Sequence, residues 1–203
     1  MRVDQASAYV ETRDALAQDW GDFMAAALPE HAWLPFPNVG ADHAEELAER
    51  WGIDGLVLTG GNDLGSAPER DATERALLAR ALRLDHPVLA VCRGLQLLQA
   101  SVGGPVDSCG EGHGAVEHEV SFVGSLDGVV ERGTTARVNS YHRLGVAEAQ
   151  LGDGLERLAV TSDGLVEAAR LAGRRVVGVQ WHPERGRPFR DLDVALARWV
   201  FAA

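Results

Sequence analysis

Apolar and polar positions alternate along this chain in blocks that change period several times. Residues 13–28 place Leu16, Trp20, Phe23, Met24 and Ala27 at helical spacing, and Pro29 ends the pattern. A short apolar piece at residues 33–36 precedes a second helical pattern over residues 41–51. Residues 53–59 are then almost wholly apolar and stop at Gly60-Gly61, which predicts a strand buried on both faces. A helix is expected over residues 69–84, a second buried strand over residues 87–91, and a further helix over residues 94–102.

Strand, loop and helix thus alternate, the order required by an α/β, doubly wound and mostly parallel sheet with flanking helices. In such sheets ligands bind beyond the carboxyl ends of the strands, so the loops after Thr59 and Val91 are the ones to follow. Beyond Gly104 the texture shifts to shorter β-rich pieces at residues 119–123, 135–140, 155–161, 165–171 and 175–181, the last two turned into a hairpin at Gly173. Residues 188–203 read as a closing helix with Leu192, Leu196, Trp199 and Val200 on its apolar side. The opening is anomalous: residues 1–8 are too short and polar for the apolar first strand of such a sheet, so either the strand is missing or the start codon is misplaced.

A chain of 203 residues with 46% hydrophobic content fits one domain over residues 1–203. The formal net charge of -11, with no basic block, argues against nucleic acid and anionic membrane surfaces as partners. No stretch approaches the roughly 20 apolar residues of a membrane helix, and the N-terminus has no apolar segment suited to a signal peptide. Cys92 and Cys109 form no framework of the secreted type, and a reducing cytoplasm is the expected location.

Cys92 lies where an apolar strand meets a helix, with small residues Ala90 and Gly94 on either side. A sharp strand-to-helix turn needs small neighbours because the backbones approach closely, and it lifts the sulfur outward. At a helix N-terminus the thiol pKa is expected to fall. The competing reading is a buried, inert cysteine. A base is available in Gly178-Val179-Gln180-Trp181-His182-Pro183-Glu184, where Pro183 keeps His182 out of helical geometry. In an extended stretch residues 182 and 184 project to one side, so Glu184 can orient the imidazole. The competing reading is a plain surface loop. Oxyanion donors are expected from the backbone amides of Gly61, in a loop where glycine tolerates positive φ, and of Arg93.

On these stretches the chain resembles the class I glutamine amidotransferase family, of flavodoxin-like architecture, and within it the γ-glutamyl hydrolase (peptidase C26) branch. The matching segments are Leu58-Thr59-Gly60-Gly61-Asn62-Asp63, Ala90-Val91-Cys92-Arg93-Gly94-Leu95-Gln96, Val138-Asn139-Ser140-Tyr141-His142 and the segment from Gly178 to Glu184. The resemblance implies a Cys92, His182, Glu184 triad with a glutamyl thioester intermediate. It also implies substrate contacts from Asn62, Gln96, Asn139, Ser140, Tyr141 and His142. The competing reading of Ser140 and His142 is a turn that satisfies local backbone, and of Gln96 an ordinary helix residue. Glu167, in Asp163-Gly164-Leu165-Val166-Glu167-Ala168, matches a motif of the branch whose role is undefined.

The front of the chain, residues 13–21 with Asn62-Asp63-Leu64 and Arg70-Asp71, resembles the hydrolases of γ-glutamyl-CDP-amidate, which implies a nucleotide-linked γ-glutamyl substrate. Arg143, Arg185 and Arg187 are the candidate cations for a diphosphate, with surface solvation as the alternative. Other readings are a γ-glutamyl-γ-aminobutyrate hydrolase, a glutaminase subunit that feeds ammonia to a separate synthase, and an inactive binding protein. The related intracellular-protease superfamily places histidine after its cysteine, where this chain has Arg93. The expected partner is a small molecule; no cofactor and no metal are expected.

Overall fold

The computed structural model describes residues 1–110 and 112–202. Its centre is a seven-stranded sheet flanked on both faces by helices. In chain order the elements are β1 (Arg2–Gln5), β2 (Thr12–Ala15), α1 (Asp19–Ala27), α2 (Gly40–Arg50), β3 (Leu56–Leu58), α3 (Pro68–Leu84), β4 (Val88–Val91) and α4 (Arg93–Ser101). There follow β5 (Asp107–Ser108), β6 (Gly114–Phe122), β7 (Thr135–Tyr141), β8 (Leu144–Gly145), β9 (Leu155–Val160), β10 (Val166–Leu171), β11 (Val176–Val179) and α5 (Asp191–Phe201).

The central sheet runs β3-β4-β11-β10-β9-β6-β7. The α/β class and flanking helices agree with the sequence reading, but the sheet is mixed, not mostly parallel. Parallel pairing is confined to β3 with β4 and β4 with β11, and every later pair is antiparallel. The reason is connection length: β9, β10 and β11 follow one another through tight turns at Gly164 and Gly173, too short for the helical crossover that parallel neighbours need.

Alternation along β4 and β11 sets the two layers. Leu89, Val91, Val177 and Val179 pack with Trp20, Phe23 and Met24 of α1 and Leu196, Ala197 and Val200 of α5. Val88, Ala90 and Val176 face Leu78 and Ala81 of α3 and Leu97 and Leu98 of α4. A strand buried on both faces is apolar at successive positions, which is why β4 reads as an uninterrupted run.

The front of the chain departs from expectation. Residues 13–15 are not helical: Thr12–Ala15 pairs with Arg2–Gln5 as a separate antiparallel hairpin, and α1 begins only at Asp19. The helical spacing is real from Trp20 onward, but Arg13 and Asp14 supply no apolar face and take a partner strand instead. The hairpin is tied to the loop after β3: the Val3 N–H donates to Asn62 Oδ1 at 2.7 Å, and the Val3 carbonyl accepts from Asn62 Nδ2 at 2.9 Å. The apolar piece at residues 33–36 forms no regular element, and Trp33 and Leu34 remain exposed.

Candidate active site

Cys92 caps α4 directly after β4, with φ 54° and ψ -105°, a left-handed conformation that a non-glycine residue adopts only under constraint. The constraint comes from both neighbours. The Cys92 N–H donates to Val179 of β11 at 2.7 Å, and its carbonyl accepts from the Gln96 N–H at 3.2 Å. Gly94 is obligatory here because a Cβ would stand 2.6 Å from the Leu58 carbonyl oxygen. Two strands and a helix therefore converge on the bend, as the small-residue spacing predicts.

His182 leaves β11 in extended geometry and is followed by a 3-10 turn over Pro183–Arg185. Glu184 thus approaches from a tight turn and not from the extended stretch expected, yet its Oε1 lies 2.7 Å from His182 Nδ1. Both side chains are buried. Accepting the Nδ1 proton leaves Nε2 as the available base nitrogen. The backbone of His182 is held as well: its N–H donates to Asn139 Oδ1 and its carbonyl accepts from Asn139 Nδ2, each at 2.8 Å. The preceding Trp181, fully buried, donates its indole N–H to Asp193 at 2.8 Å.

Cys92 and His182 border the same glycine, Gly60. A Cβ built on Gly60 would lie 2.6 Å from His182 Cε1, 3.4 Å from Nε2 and 3.5 Å from Cys92 Cβ. Glycine at position 60 is what lets the two side chains approach. The Arg93 backbone amide favours negative charge on the sulfur, and Gln180, unremarked as a single residue in the sequence, brings its side-chain amide within 3.6 Å of Sγ. Position 180 is adjacent to Trp181-His182, but only the β4–β11 pairing shows that its side chain meets Cys92.

The expected fall in the Cys92 pKa is not found. Burial pushes the thiol up to about 12; the Arg93 amide acts in the opposite sense, and the Glu184 carboxylate adds to the rise. Helix-terminal stabilisation is outweighed because the sulfur is only 7% exposed, so the thiolate loses its solvation. Burial thus favours the protonated form of the Cys92 thiol.

The loop after β3 is braced from beneath. Gly61 has φ 123°, and a Cβ there would meet Arg70 Nη1 at 2.6 Å and Arg2 Cβ at 2.7 Å. Arg70 donates to the carbonyls of Thr59 at 2.8 Å and Gly60 at 3.0 Å and pairs with Glu74 at 2.8 Å. The buried Arg93 guanidinium pairs with Glu74 and Asp71. This network fixes the backbone on either side of the pocket, and its arginines are spent on protein partners.

The remaining candidates divide. Tyr141, exposed, sets its ring edge-on to His182 with centroids 5.7 Å apart, and Arg185 lies over its other surface at 4.5 Å. Asn62 is engaged with Val3, Asn139 with His182, Gln96 with the Leu144 carbonyl at 2.9 Å, and Ser140 with the His113 carbonyl at 2.7 Å. His142 faces Glu167 instead of the cysteine. Of the three arginines expected near the site, Arg185 borders it, Arg143 is solvent-exposed, and Arg187 pairs with Asp19 and Asp22 of α1.

A γ-glutamyl-CDP-amidate hydrolase of Campylobacter jejuni subsp. jejuni serotype O:2 is 27% identical over 200 residues, covering 94% of this chain and 90% of that protein. A Mycobacterium tuberculosis protein provisionally named a glutamine amidotransferase is 36% identical over 159 residues, 66% of this chain, which spans about half, 51%, of that protein. Among solved structures, the Trypanosoma brucei CTPS glutaminase domain with bound acivicin superposes with a TM-score of 0.67 at 20% identity, covering 87% of this chain and 82% of that one. No helix among the described residues is long and apolar enough to cross a membrane. With a family model matched across residues 12–184, the chain belongs to the Peptidase C26 family.

Proposed function

We propose that the chain hydrolyses the γ-amide bond of a γ-glutamyl compound through a thioester on Cys92, with γ-glutamyl-CDP-amidate as substrate and glutamate and cytidine diphosphoramidate as products. One arrangement supports the reading: an imidazole whose Nδ1 is 2.7 Å from a buried carboxylate and a cysteine on a strained bend both border Gly60. An activated nucleophile needs an oriented base of this kind within reach.

His182 Nε2 takes the Cys92 proton as sulfur attacks the γ-carbonyl carbon. The N–H groups of Gly61 and Arg93 stabilise the oxyanion, each donor contributing about 3 kcal/mol to the transition state. As the C–N bond breaks, the imidazolium gives its proton to the leaving nitrogen. Water then attacks the thioester and loses a proton to His182; the C–S bond breaks, and the sulfur recovers that proton. Glu184 stays ionised and stabilises the charged ring. A raised thiol pKa suits this sequence, since charge develops only as substrate excludes water and the proton moves.

The narrower substrate assignment is supported by the likeness to the Campylobacter hydrolase over almost the whole of both chains. It is also supported by Arg185 beside Tyr141 at the pocket edge and by Arg2 packed on Gly61. Purified protein assayed with γ-glutamyl-CDP-amidate, γ-glutamyl-γ-aminobutyrate and free glutamine decides it. Preference for the first by kcat/KM supports the proposal; preference for γ-glutamyl-γ-aminobutyrate overturns the nucleotide assignment. Hydrolysis of glutamine alone makes the chain an ammonia-donating subunit.

A further inference from the structure

A second polar centre lies beside the pocket, built from His113, His118, His142 and Glu167. Glu167 is fully buried, and neither of its carboxylate oxygens has a hydrogen-bond partner among the described residues. His142 Nε2 lies 3.3 Å from Glu167 Oε1, and His118 Nε2 lies 3.3 Å from Oε2, without the alignment of hydrogen bonds. His113 Nδ1 is likewise buried and unpartnered. His113, His142 and Glu167 each present one donor atom within 4.8 Å of the others.

His142 Nδ1 is 3.1 Å from the Leu144 carbonyl oxygen and 3.6 Å from Cys109 Sγ, while its Nε2 points at Glu167. His113 Nε2 is 3.0 Å from Asp163 Oδ2, and its buried Nδ1 is left without a protein partner among the described residues. An outward carboxylate or carbonyl on one nitrogen with a bare second nitrogen is the arrangement that metal-ligating histidines adopt.

Local backbone supports the same conclusion. β10 shifts register against β9 between Val166 and Ala168, which places Glu167 at the irregularity. β6 shifts against β7 between Gly114 and Val116, where Ala115 has φ 57°. Such bulges re-aim side chains, and here they bring residues of β6 and β10 together with the residue before β6 and the residue after β7.

We propose that His113, His142 and Glu167, with His118 beside them, form a structural site for a divalent transition metal of the zinc class. The donor atoms of the first three converge within 4.8 Å, metal bonds of about 2.0–2.1 Å match the 3.3 Å between His142 and Glu167 Oε1, and His118 faces the second carboxylate oxygen at 3.3 Å. The ion ties β6, the end of β7 and β10 together. The Glu167 carbonyl accepts from the Gln180 N–H at 2.7 Å, and Gln180 reaches Cys92, so the site underlies the pocket without entering it.

The test uses untagged, chelator-stripped full-length chain titrated with Zn(II) and with Co(II). One equivalent of each should bind, the Co(II) form should show tetrahedral ligand-field absorption, and Zn(II) should raise the melting temperature. Asp163→Ala changes an exposed residue whose carboxylate orients His113 and also contacts Thr161, and it should weaken Zn(II) affinity by about 10- to 100-fold while the metal-free chain stays folded. Cys92→Ala should bind Zn(II) like wild type, which separates this site from a cysteine ligand. Glu167→Gln should lose binding; should that variant not fold, His118→Ala, at a partly exposed position, should lose it instead. A folded, stripped wild-type chain that takes up neither ion overturns the proposal, as does undiminished affinity in both Asp163→Ala and His118→Ala.

Discussion

Asn139 holds His182 by the main chain, accepting from its N–H and donating to its carbonyl at 2.8 Å each. This links β7 to the end of β11, strands at different positions in the sheet, and sets where the imidazole begins. The family resemblance points to Asn139 as a substrate contact, whereas its side-chain amide is already occupied. Asn139→Ala should therefore lower kcat with little change in KM, and should destabilise the fold by about 1–3 kcal/mol through the unpaired backbone groups. Steady-state kinetics with urea unfolding checks both; a rise in KM alone would restore the substrate role.

Cys92→Ala and His182→Ala should each reduce turnover by roughly 10⁴-fold or more, and Glu184→Gln by roughly 10²- to 10⁴-fold, with non-additive double variants. Rapid quenching followed by intact-mass measurement should trap a glutamyl adduct on wild type and none on Cys92→Ala. Retained turnover in Cys92→Ala sinks the thioester scheme.

The thiol pKa predicts an alkaline weakness. The folded state keeps the Cys92 proton up to about 12, whereas the ordinary value is 9.0. Between those values the native chain binds more protons than the unfolded one, so this group's stabilising contribution is complete below pH 9.0 and is lost as pH rises toward 12. Urea midpoints should fall more steeply over that window for wild type than for Cys92→Ser. Alkylation of Cys92 by iodoacetamide should accelerate about tenfold per pH unit below the thiol pKa. A plateau of reactivity near neutral pH would show instead a resting thiolate paired with His182.

Gly60→Ala should damage catalysis more than folding. The added methyl group would stand 2.6 Å from His182 Cε1, so the ring must move away from the cysteine. A kcat loss of roughly 10²-fold is expected, since a displacement of about 1 Å costs that much. Gly94→Ala meets the Leu58 backbone at 2.6 Å and should mainly unfold the chain. Melting temperature and kcat measured on both variants separate the two effects.

Arg93→Ala should destabilise the protein by about 3–5 kcal/mol, because it strips the buried Glu74 of a partner and leaves Asp71 uncompensated. Arg70 retains its own pair with Glu74 but cannot reach both acids. Chemical denaturation measures the loss, and an effect below about 1 kcal/mol would mark the pair as dispensable.

Much of this molecule is legible from local pattern. The apolar run of β4, the small residues around Cys92, the amphipathic spacing of α1 from Trp20 and the hairpin turn at Gly173 follow from short-range sterics and periodicity. His182 and Glu184 meet as close neighbours in sequence, but through a 3-10 turn over Pro183–Arg185 and not the extended stretch their spacing implies. Contacts between distant segments are not legible in this way, because they depend on strand order. Asn62 was expected at the substrate but meets Val3, 59 residues away, and Gln180 reaches Cys92 across 88 residues through the β4–β11 pairing. The thiol pKa eluded local reasoning because a helix terminus is a near-neighbour effect, whereas desolvation is imposed by every element packed around the sulfur. His113, His118, His142 and Glu167 spread over 55 positions of sequence, and only register shifts in β6 and β10 turn them to one point. Residue type and spacing determine which groups this chain possesses; the order of strands in the folded sheet decides which of them meet, because hydrogen-bond register, not sequence distance, sets proximity in a sheet.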